Sequence, residues 1–266
     1  MEKKFSLIIP TLDRYEYLKN LLLEITTQTI LPDEIIIVDQ SNIEDSKLFL
    51  EFLYNYDLKR IIKYLKIDPQ GSGRARNIAV SIALNEYLLF IDDDIELRSN
   101  TIFASYIEHL NNERIDIIEG AYLDHPNRKI ERFVPDFKHP NVIFTFLSTY
   151  FNKQRNLRPV IGLCAGNFAC KKSVFVDVGG FDQRYGQSDD IDFGLRVWKF
   201  GYIIINDKSL RVFHFKAKSG GLRAKSEEVG FKQKIQKFKP NKYFFAFYFK
   251  HFSFTQICVY IYSLIK

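Results

Sequence analysis

Apolar residues in the first hundred positions fall into short runs that alternate with stretches of helical spacing. Phe5-Ser6-Leu7-Ile8-Ile9-Pro10 is a strand-like run closed by proline. Leu18, Leu21, Leu22 and Ile25 then recur every three or four residues, which predicts an amphipathic helix. Pro32-Asp33 turns the chain into Glu34-Ile35-Ile36-Ile37-Val38-Asp39, a second buried strand ending in an acid. A helix over 48–53, a strand over 61–67, a turn over 69–73, a helix over 74–84 and a strand over 88–91 follow. Strand and helix at this cadence predict right-handed βαβ units and a mostly parallel sheet covered on both faces. Continuously apolar strands, rather than alternating ones, agree with burial on both faces.

From about Thr101 the pattern loosens. Residues 115–120 predict a fifth strand, and 122–160 hold scattered Pro, Asn and aromatics without clear period, which predicts loops and a lid. Residues 163–170 read as a strand of small residues, which permits close approach to a ligand. Gly179-Gly180-Phe181-Asp182 predicts a tight turn, and Gln187-Ser188-Asp189-Asp190-Ile191-Asp192 opens a helix through Trp198. Ser188 as N-cap with acids in the first turn is a sufficient structural account of that trio. Short strands over 202–205 and 210–213 lead to His214.

With 266 residues and 46% hydrophobic content, the chain can bury one large core. Three cysteines, Cys164, Cys170 and Cys258, are too few for a disulfide framework and lack zinc-ligand spacing, so reduced thiols are expected. Met1-Glu2-Lys3-Lys4-Phe5 runs straight into a strand with no secretory signal, which points to the cytoplasm. Residues 208–242 carry eleven Lys/Arg against Glu227 and Glu228, whereas residues 1–207 sum to −5. The basic balance belongs to the tail, so the main domain has no nucleic-acid face.

Candidate chemistry sits at the strand ends, where ligands of parallel α/β sheets bind. Three successive ends carry Thr11 and Asp13, Asp39, and Asp92-Asp93-Asp94. Three adjacent carboxylates cost stability unless a cation or several donors meet them. Hard oxygen ligands suit Mg²⁺ or Mn²⁺ bridging to a phosphate, while a solvated acidic turn is the plain alternative. Gly71-Ser72-Gly73-Arg74-Ala75-Arg76-Asn77 is neither a P-loop nor a dinucleotide fingerprint, because the required lysine and third glycine are absent. Its arginines at a helix start nevertheless suit a diphosphate.

In this order the segments resemble the family 2 glycosyltransferases of the GT-A fold, over roughly residues 4–218. Ile8-Ile9-Pro10-Thr11-Leu12-Asp13-Arg14 looks like the family's opening strand and loop, and residues 34–41 are similar to its second strand. The Gly71–Asn77 segment resembles the helix start near the nucleotide, and Asp92-Asp93-Asp94 falls where the family carries D-x-D. Gly179–Asp182 followed by Asp189-Asp190-Ile191-Asp192-Phe193 resembles the acceptor-side turn and the helix bearing the catalytic base. Gln40 stands where a second acid is common, and Asp189 where Glu is more usual.

The resemblance implies a GT-A domain over 1–220, with a nucleotide-binding half to about 115 and an acceptor half over 116–220. It implies an inverting, metal-assisted transfer from a nucleoside-diphosphate sugar to a saccharide or lipid-linked glycan, in polysaccharide synthesis at the cell envelope. Asp94 and His214 would hold Mn²⁺ or Mg²⁺. Asp92 would meet the ribose and Asp39 the base. Pro10, Thr11, Asp13, Arg14, Gly71, Arg76, Asp93, Gly166 and Asn167 would complete the donor site. Asp190 would be the base, with Asp189 second. A nucleotidyltransferase also places acids at strand ends, but it wants a glycine-rich loop after the first strand, which Thr11-Leu12-Asp13-Arg14-Tyr15 lacks. A non-catalytic sugar-nucleotide or glycan-binding module is the third class.

Residues 221–266 form a basic and aromatic tail that predicts helix. Seventeen of the 23 residues over 243–265 are apolar, ten of them aromatic, but Lys250 and His251 near the middle argue against a membrane span. Two readings stay open. The tail attaches to an anionic membrane surface, which would put the protein at the inner face of the plasma membrane, or it packs on the core or on a second copy.

Overall fold

The structure is a computed structural model and describes residues 4–41, 43–124, 157–160, 163–184 and 189–217. The elements are β1 (Phe5–Thr11), α1 (Tyr15–Ile25), β2 (Glu34–Asp39), α2 (Ile43–Tyr54), a 3₁₀ turn (Asp57–Ile61), β3 (Ile62–Lys66), α3 (Ser72–Ile82), β4 (Tyr87–Ile91) and β5 (Ile95–Leu97). After them come α4 (Ile102–Asn111), β6 (Ile117–Asp124), β7 (Leu157–Val160), β8 (Asn167–Lys171), α5 (Lys172–Asp177), α6 (Asp189–Lys199) and β9 (Ile204–His214).

Among the described residues nine strands form one sheet in the order β3-β2-β1-β4-β8-β6-β9-β5, with β7 also paired to β9. β3, β2, β1 and β4 run parallel, as the alternation of strand and helix predicts. The other half is mixed: β8 lies antiparallel between β4 and β6, β9 is parallel to β6, and β5 and β7 run antiparallel to β9. Every residue of β1, β2 and β4 is buried because both faces are covered. Phe5, Leu7, Ile9, Ile35 and Ile37 pack against α1, α2 and α4 through Leu18, Leu22, Phe49 and Phe103. Ile8, Ile36, Val38 and Phe90 face α3, α5 and α6 through Ala75, Ala79, Phe175 and Phe193. The small residues of α3 let that helix lie close over β1 and β2, and its N-terminus meets the strand ends.

The structure adds β5, α4 and α5, which the loosened pattern does not predict, and joins the two expected strands before His214 into one. Within β9 the ladder to β6 jumps from Gly120↔Asp207 to Ala121↔Arg211. Ser209 N–H and hydroxyl both donate to Asp207 Oδ1, a local turn that takes up the extra residues. Of the expected loops and lid over 122–160, residues 122–124 end β6 and 157–160 form β7, so these are strand, paired to β9, instead of loop; the rest, and the basic, aromatic tail, lie outside the described residues. Among the described residues no helix is long and apolar enough to cross a membrane. Cys164 and Cys170 are free thiols.

Candidate active site

β4 ends at Ile91, and its direction carries Asp92, Asp93 and Asp94 to the same rim as the ends of β1 and β2. The backbone fixes the triplet on both sides. Asp92 N–H donates to the Gly166 carbonyl at 2.9 Å, and Phe215 N–H donates to the Asp94 carbonyl at 2.9 Å. Antiparallel pairing of β5 with β9 sets Ile95 opposite His214, which brings the imidazole back beside Asp94. One ligand atom each from Asp92, Asp94 and His214 lies within 4.8 Å of the others.

Asp94 is 1% exposed and its Oδ2 accepts the Ala217 N–H at 2.9 Å. Its Oδ1 and His214 Nε2 stand 3.2 Å apart, near enough for charge attraction. Neither atom makes a hydrogen bond, so two buried polar atoms face each other across one small space. Burial pushes Asp94 upward, but the nearness of His214 and Arg14 and the Ala217 N–H outweigh it and hold the carboxyl at about 2. Two carboxylates and an imidazole suit Mn²⁺, and Mg²⁺ on the oxygens, so the residues fit the expected metal. Asp92 joins this group, although the resemblance gives it the ribose.

Asp93 turns the other way. Its Oδ2 accepts the Thr11 hydroxyl at 2.7 Å, and its Oδ1 lies 3.2 Å from Arg14 Nη1. At 3% exposure burial raises it to about 7 against the pull of Arg14. Arg14 Nη1 is also 3.2 Å from Asp94 Oδ2. Burial acts to lower the Arg14 pKa, yet Asp93 and Asp94 more than offset that and raise it. Thr11 and Arg14 thus both meet Asp93, and Arg14 bridges from Asp93 to Asp94.

Asp39 is fully buried, and its carboxylate is met from four sides. Oδ2 accepts Tyr15 hydroxyl at 2.5 Å, the Tyr64 hydroxyl and Lys66 Nζ at 3.0 Å, while Oδ1 accepts Ser41 N–H at 2.7 Å. Burial raises its pKa, but Ser41 and the two tyrosines together pull it below the ordinary range. Pro10 is buried opposite Val38 on β2. Asp13 is exposed at φ 54 and donates its N–H to Ser41 Oγ at 2.7 Å. Such a conformation in a non-glycine residue beside a ligand rim is stored strain of the kind found at binding loops.

Gly71 starts α3 at φ 97, and the N–H groups of Gln70 and Gly71 both donate to Gln40 Oε1, at 2.7 and 2.9 Å. Gln40 therefore pins the Gly71 turn to the end of β2, a role the sequence reading missed. Arg76, one turn on and 3% exposed, places Nη2 2.5 Å from Asp92 Oδ1 and its guanidinium over the Phe181 ring at 5.6 Å. The same cation pulls on Asp189 and Asp190, so it stands between the Asp92 rim and the start of α6.

At α6 the three acids separate. Asp192 is fully buried and pairs with Arg196 at 2.7 Å, while Arg196 also donates to the Val178 and Gly180 carbonyls. That locks the turn before α6. Asn77 ties the same turn to α3 by exchanging hydrogen bonds with Phe181 N–H and carbonyl. Asp189 is buried against Gly73, and burial raises its pKa. Asp190 is half-buried; burial, then repulsion from Asp189, raises it to about 6. The expected cap Ser188 lies outside the described residues.

Gly166 is in contact with Asp92, as a close-approach strand requires, and Asn167 follows it, paired with Ile91 at the end of β4. It is fully buried, its Oδ1 accepts Tyr106 hydroxyl at 2.7 Å and its amide donates to the Leu210 carbonyl at 3.4 Å. Its side chain holds β8 to α4 and β9. Glu119 was missed altogether. It is a 1% exposed acid behind the rim, and an acid inside the apolar run Ile117-Ile118-Glu119-Gly120 was the signal available.

A parallel half-sheet continued by a mixed half, with acids gathered beyond its strand ends, is the architecture of the GT-A fold. The sequence model of Glycosyl transferase family 2 matches residues 6–179, and the chain belongs to that family. It is similar to the O-antigen chain rhamnosyltransferase RfbN of Salmonella typhimurium, 24% identical over 207 residues, covering 75% of this chain and 62% of the relative. It is also similar to the poly(ribitol-phosphate) beta-N-acetylglucosaminyltransferase TarS of Staphylococcus aureus, 29% identical over 101 residues. That match covers 37% of this chain and only 18% of TarS, so the chain spans under a fifth of that relative's length. The fold is shared with the mannosyltransferase PcManGT of Pyrobaculum calidifontis, solved with GDP-Man and Mn²⁺, at a TM-score of 0.63 and 16% identity, covering 83% of this chain and 59% of that one.

Proposed function

We propose that this glycosyltransferase moves a sugar from a nucleoside-diphosphate sugar to a hydroxyl of a saccharide or lipid-linked glycan, with inversion at the anomeric carbon. The observation that carries the reading is the convergence of Asp92, Asp94 and His214, with a buried oxygen of Asp94 and a buried nitrogen of His214 that make no hydrogen bond. Those three residues would hold Mn²⁺ or Mg²⁺, which when bound neutralises charge on the leaving diphosphate. Arg76 adds a fixed cation beside them. The half up to about residue 115 supplies this donor side, with Asp39, Asp13 and Gly71 around the nucleoside, and the half from 116 to 220 supplies the acceptor side.

Asp190 takes the proton of the acceptor hydroxyl as that oxygen bonds to the anomeric carbon and the bond to the diphosphate oxygen breaks. A carboxyl raised to about 6 is ionised at neutral pH yet basic enough to share the proton, which typically contributes 10²–10⁴-fold. Asp189 holds the second charge that raises it. One base, and among the described residues of the site no evident covalent nucleophile, suit a single displacement. The O-antigen chain named for RfbN supports a saccharide acceptor, and the GDP-Man and Mn²⁺ of PcManGT support the donor class and metal.

The test is a thermal-shift screen of UDP-, GDP- and dTDP-sugars with Mn²⁺, followed by transfer assays on the binder, since a ligand stabilises by mass action. Asp190→Asn should abolish transfer while leaving donor affinity nearly unchanged. Undiminished transfer by that variant, or donor binding that ignores EDTA, would sink the assignment.

A further inference from the structure

Glu119 is a buried carboxyl for which the proposed chemistry has no use. It lies in the middle of β6, paired with Phe168 of β8 on one side and Asn206 of β9 on the other. Its Oε1 accepts the Cys164 N–H at 2.8 Å, and its Oε2 accepts the Asn206 side-chain amide at 3.3 Å. Burial raises it to about 7 against the pull of the Cys164 N–H and thiol and of Asn206. A buried acid is costly unless its acceptors are used, and here they are used on a bend of the chain.

That bend, residues 164–166, leads into β8 and touches the donor rim at its far end. The Gly166 carbonyl accepts the Asp92 N–H at 2.9 Å, and a methyl group on Gly166 would stand 2.0 Å from Asp92 Oδ2. The Tyr122 hydroxyl reaches the same bend, 3.5 Å from the Cys164 carbonyl, and the Tyr122 ring packs 5.4 Å from the His214 ring. The bend is therefore a wall shared by Asp92 and the side of His214, and Glu119 is bonded to its start.

We propose that Glu119 is a positioning residue, which by anchoring the 164–166 bend sets the place of Asp92 in the donor and metal site. The proposal rests on reading Asp92, Asp94 and His214 as that site. Glutamine keeps the size of the side chain and the oxygen that accepts Cys164 N–H. Alanine removes the anchor, and aspartate keeps the charge but withdraws the oxygens by one methylene.

The experiment measures donor and Mn²⁺ dependence of transfer for Glu119→Gln, Glu119→Ala and Glu119→Asp, with circular dichroism and melting curves. Donor KM and the Mn²⁺ concentration for half-activation should rise about 10- to 100-fold in the alanine and aspartate variants, the size expected of a misplacement near 1 Å, with a smaller change in kcat. The glutamine variant should restore both. Wild-type KM and Mn²⁺ dependence in folded Glu119→Asp or Glu119→Ala would overturn the proposal, as would a loss confined to kcat. Should alanine fail to fold, the aspartate and glutamine pair decides alone. Absence of Mn²⁺-dependent donor binding in the unaltered protein would instead strike the reading of the site itself.

Discussion

Gly166→Ala adds one methyl group where the chain passes nearest to Asp92. That carbon would stand 2.0 Å from Asp92 Oδ2, 2.3 Å from its Cγ and 2.8 Å from the Tyr122 hydroxyl. Carbon and oxygen in ordinary contact sit about 3.3–3.6 Å apart, so the carboxylate must retreat by more than about 1 Å. It has little room, because Oδ1 is 2.5 Å from Arg76 Nη2 and the Asp92 N–H is bonded to the Gly166 carbonyl. The φ of Gly166 is outside the left-handed region, so the backbone itself accepts alanine and the cost falls on Asp92. A displacement of about 1 Å in a substrate-positioning group costs on the order of 10²-fold, or about 2.7 kcal/mol of transition-state stabilisation. Initial rates against donor and Mn²⁺ should show that loss mainly in KM. Gly73→Ala is the mirror experiment, since its methyl would stand 2.0 Å from Asp189 Oδ2 inside α3, where alanine otherwise favours the helix by about 1 kcal/mol. It should depress kcat and spare donor KM. Unchanged kinetics in Gly166→Ala, or the two signatures interchanged, would refute the division of the rim into a donor side at Asp92 and an acceptor side at α6.

The acidic limb of kcat against pH should fall at about 6, because Asp190 must be ionised to receive a proton and its carboxyl is raised to that value. A limb near 4 would show that another group is the base. Stability of the metal-free protein should decline as pH rises from 5.5 to 8. Glu119 and Asp190 are raised in the folded state to about 7 and about 6 from ordinary values near 4, so the folded chain binds more protons across that window and loses stability as they leave. Melting temperatures should follow at about 2–4 °C per kcal/mol, and a melting point that climbs with pH would contradict the burial of both acids.

The parallel half of the sheet is legible because its strands are apolar throughout and its helices carry an apolar stripe, as Leu18, Leu21, Leu22 and Ile25 do. α4 was not predicted, although Ile102, Phe103, Tyr106, Ile107 and Leu110 have helical spacing and are all buried. Other features depend on contacts between distant segments. No local pattern says that β8 enters antiparallel between β4 and β6, or that Asp207, Lys208 and Ser209 kink one strand instead of separating two. His214 could be named only through the family resemblance, because the β5–β9 pairing that carries it to Asp94 joins residues more than a hundred positions apart. Gln40 illustrates the converse. Read in sequence it is a departure from an acidic position, whereas in the fold its side-chain oxygen is the acceptor for two N–H groups of the Gly71 turn.

The charge balance of the triplet explains how three adjacent acids can share one strand end. The chain turns directly after β4, and in that turn Asp92 and Asp94 gather with His214 while Asp93 goes to Thr11 and Arg14. Asp93 is matched by Thr11 and Arg14, and Asp92 by Arg76. Two guanidiniums thus offset two of the three carboxylates. Asp94 has the remaining reach of Arg14, the Ala217 N–H and the neighbouring imidazole. One negative charge is therefore left incompletely compensated at the spot where Asp94 Oδ1 and His214 Nε2 lack hydrogen bonds. A divalent ion placed there would leave the rim with about one positive charge, the sign that a leaving diphosphate requires. Replacing Arg14 or Arg76 with a neutral residue would cancel that positive charge, so either change should slow transfer without touching the sugar.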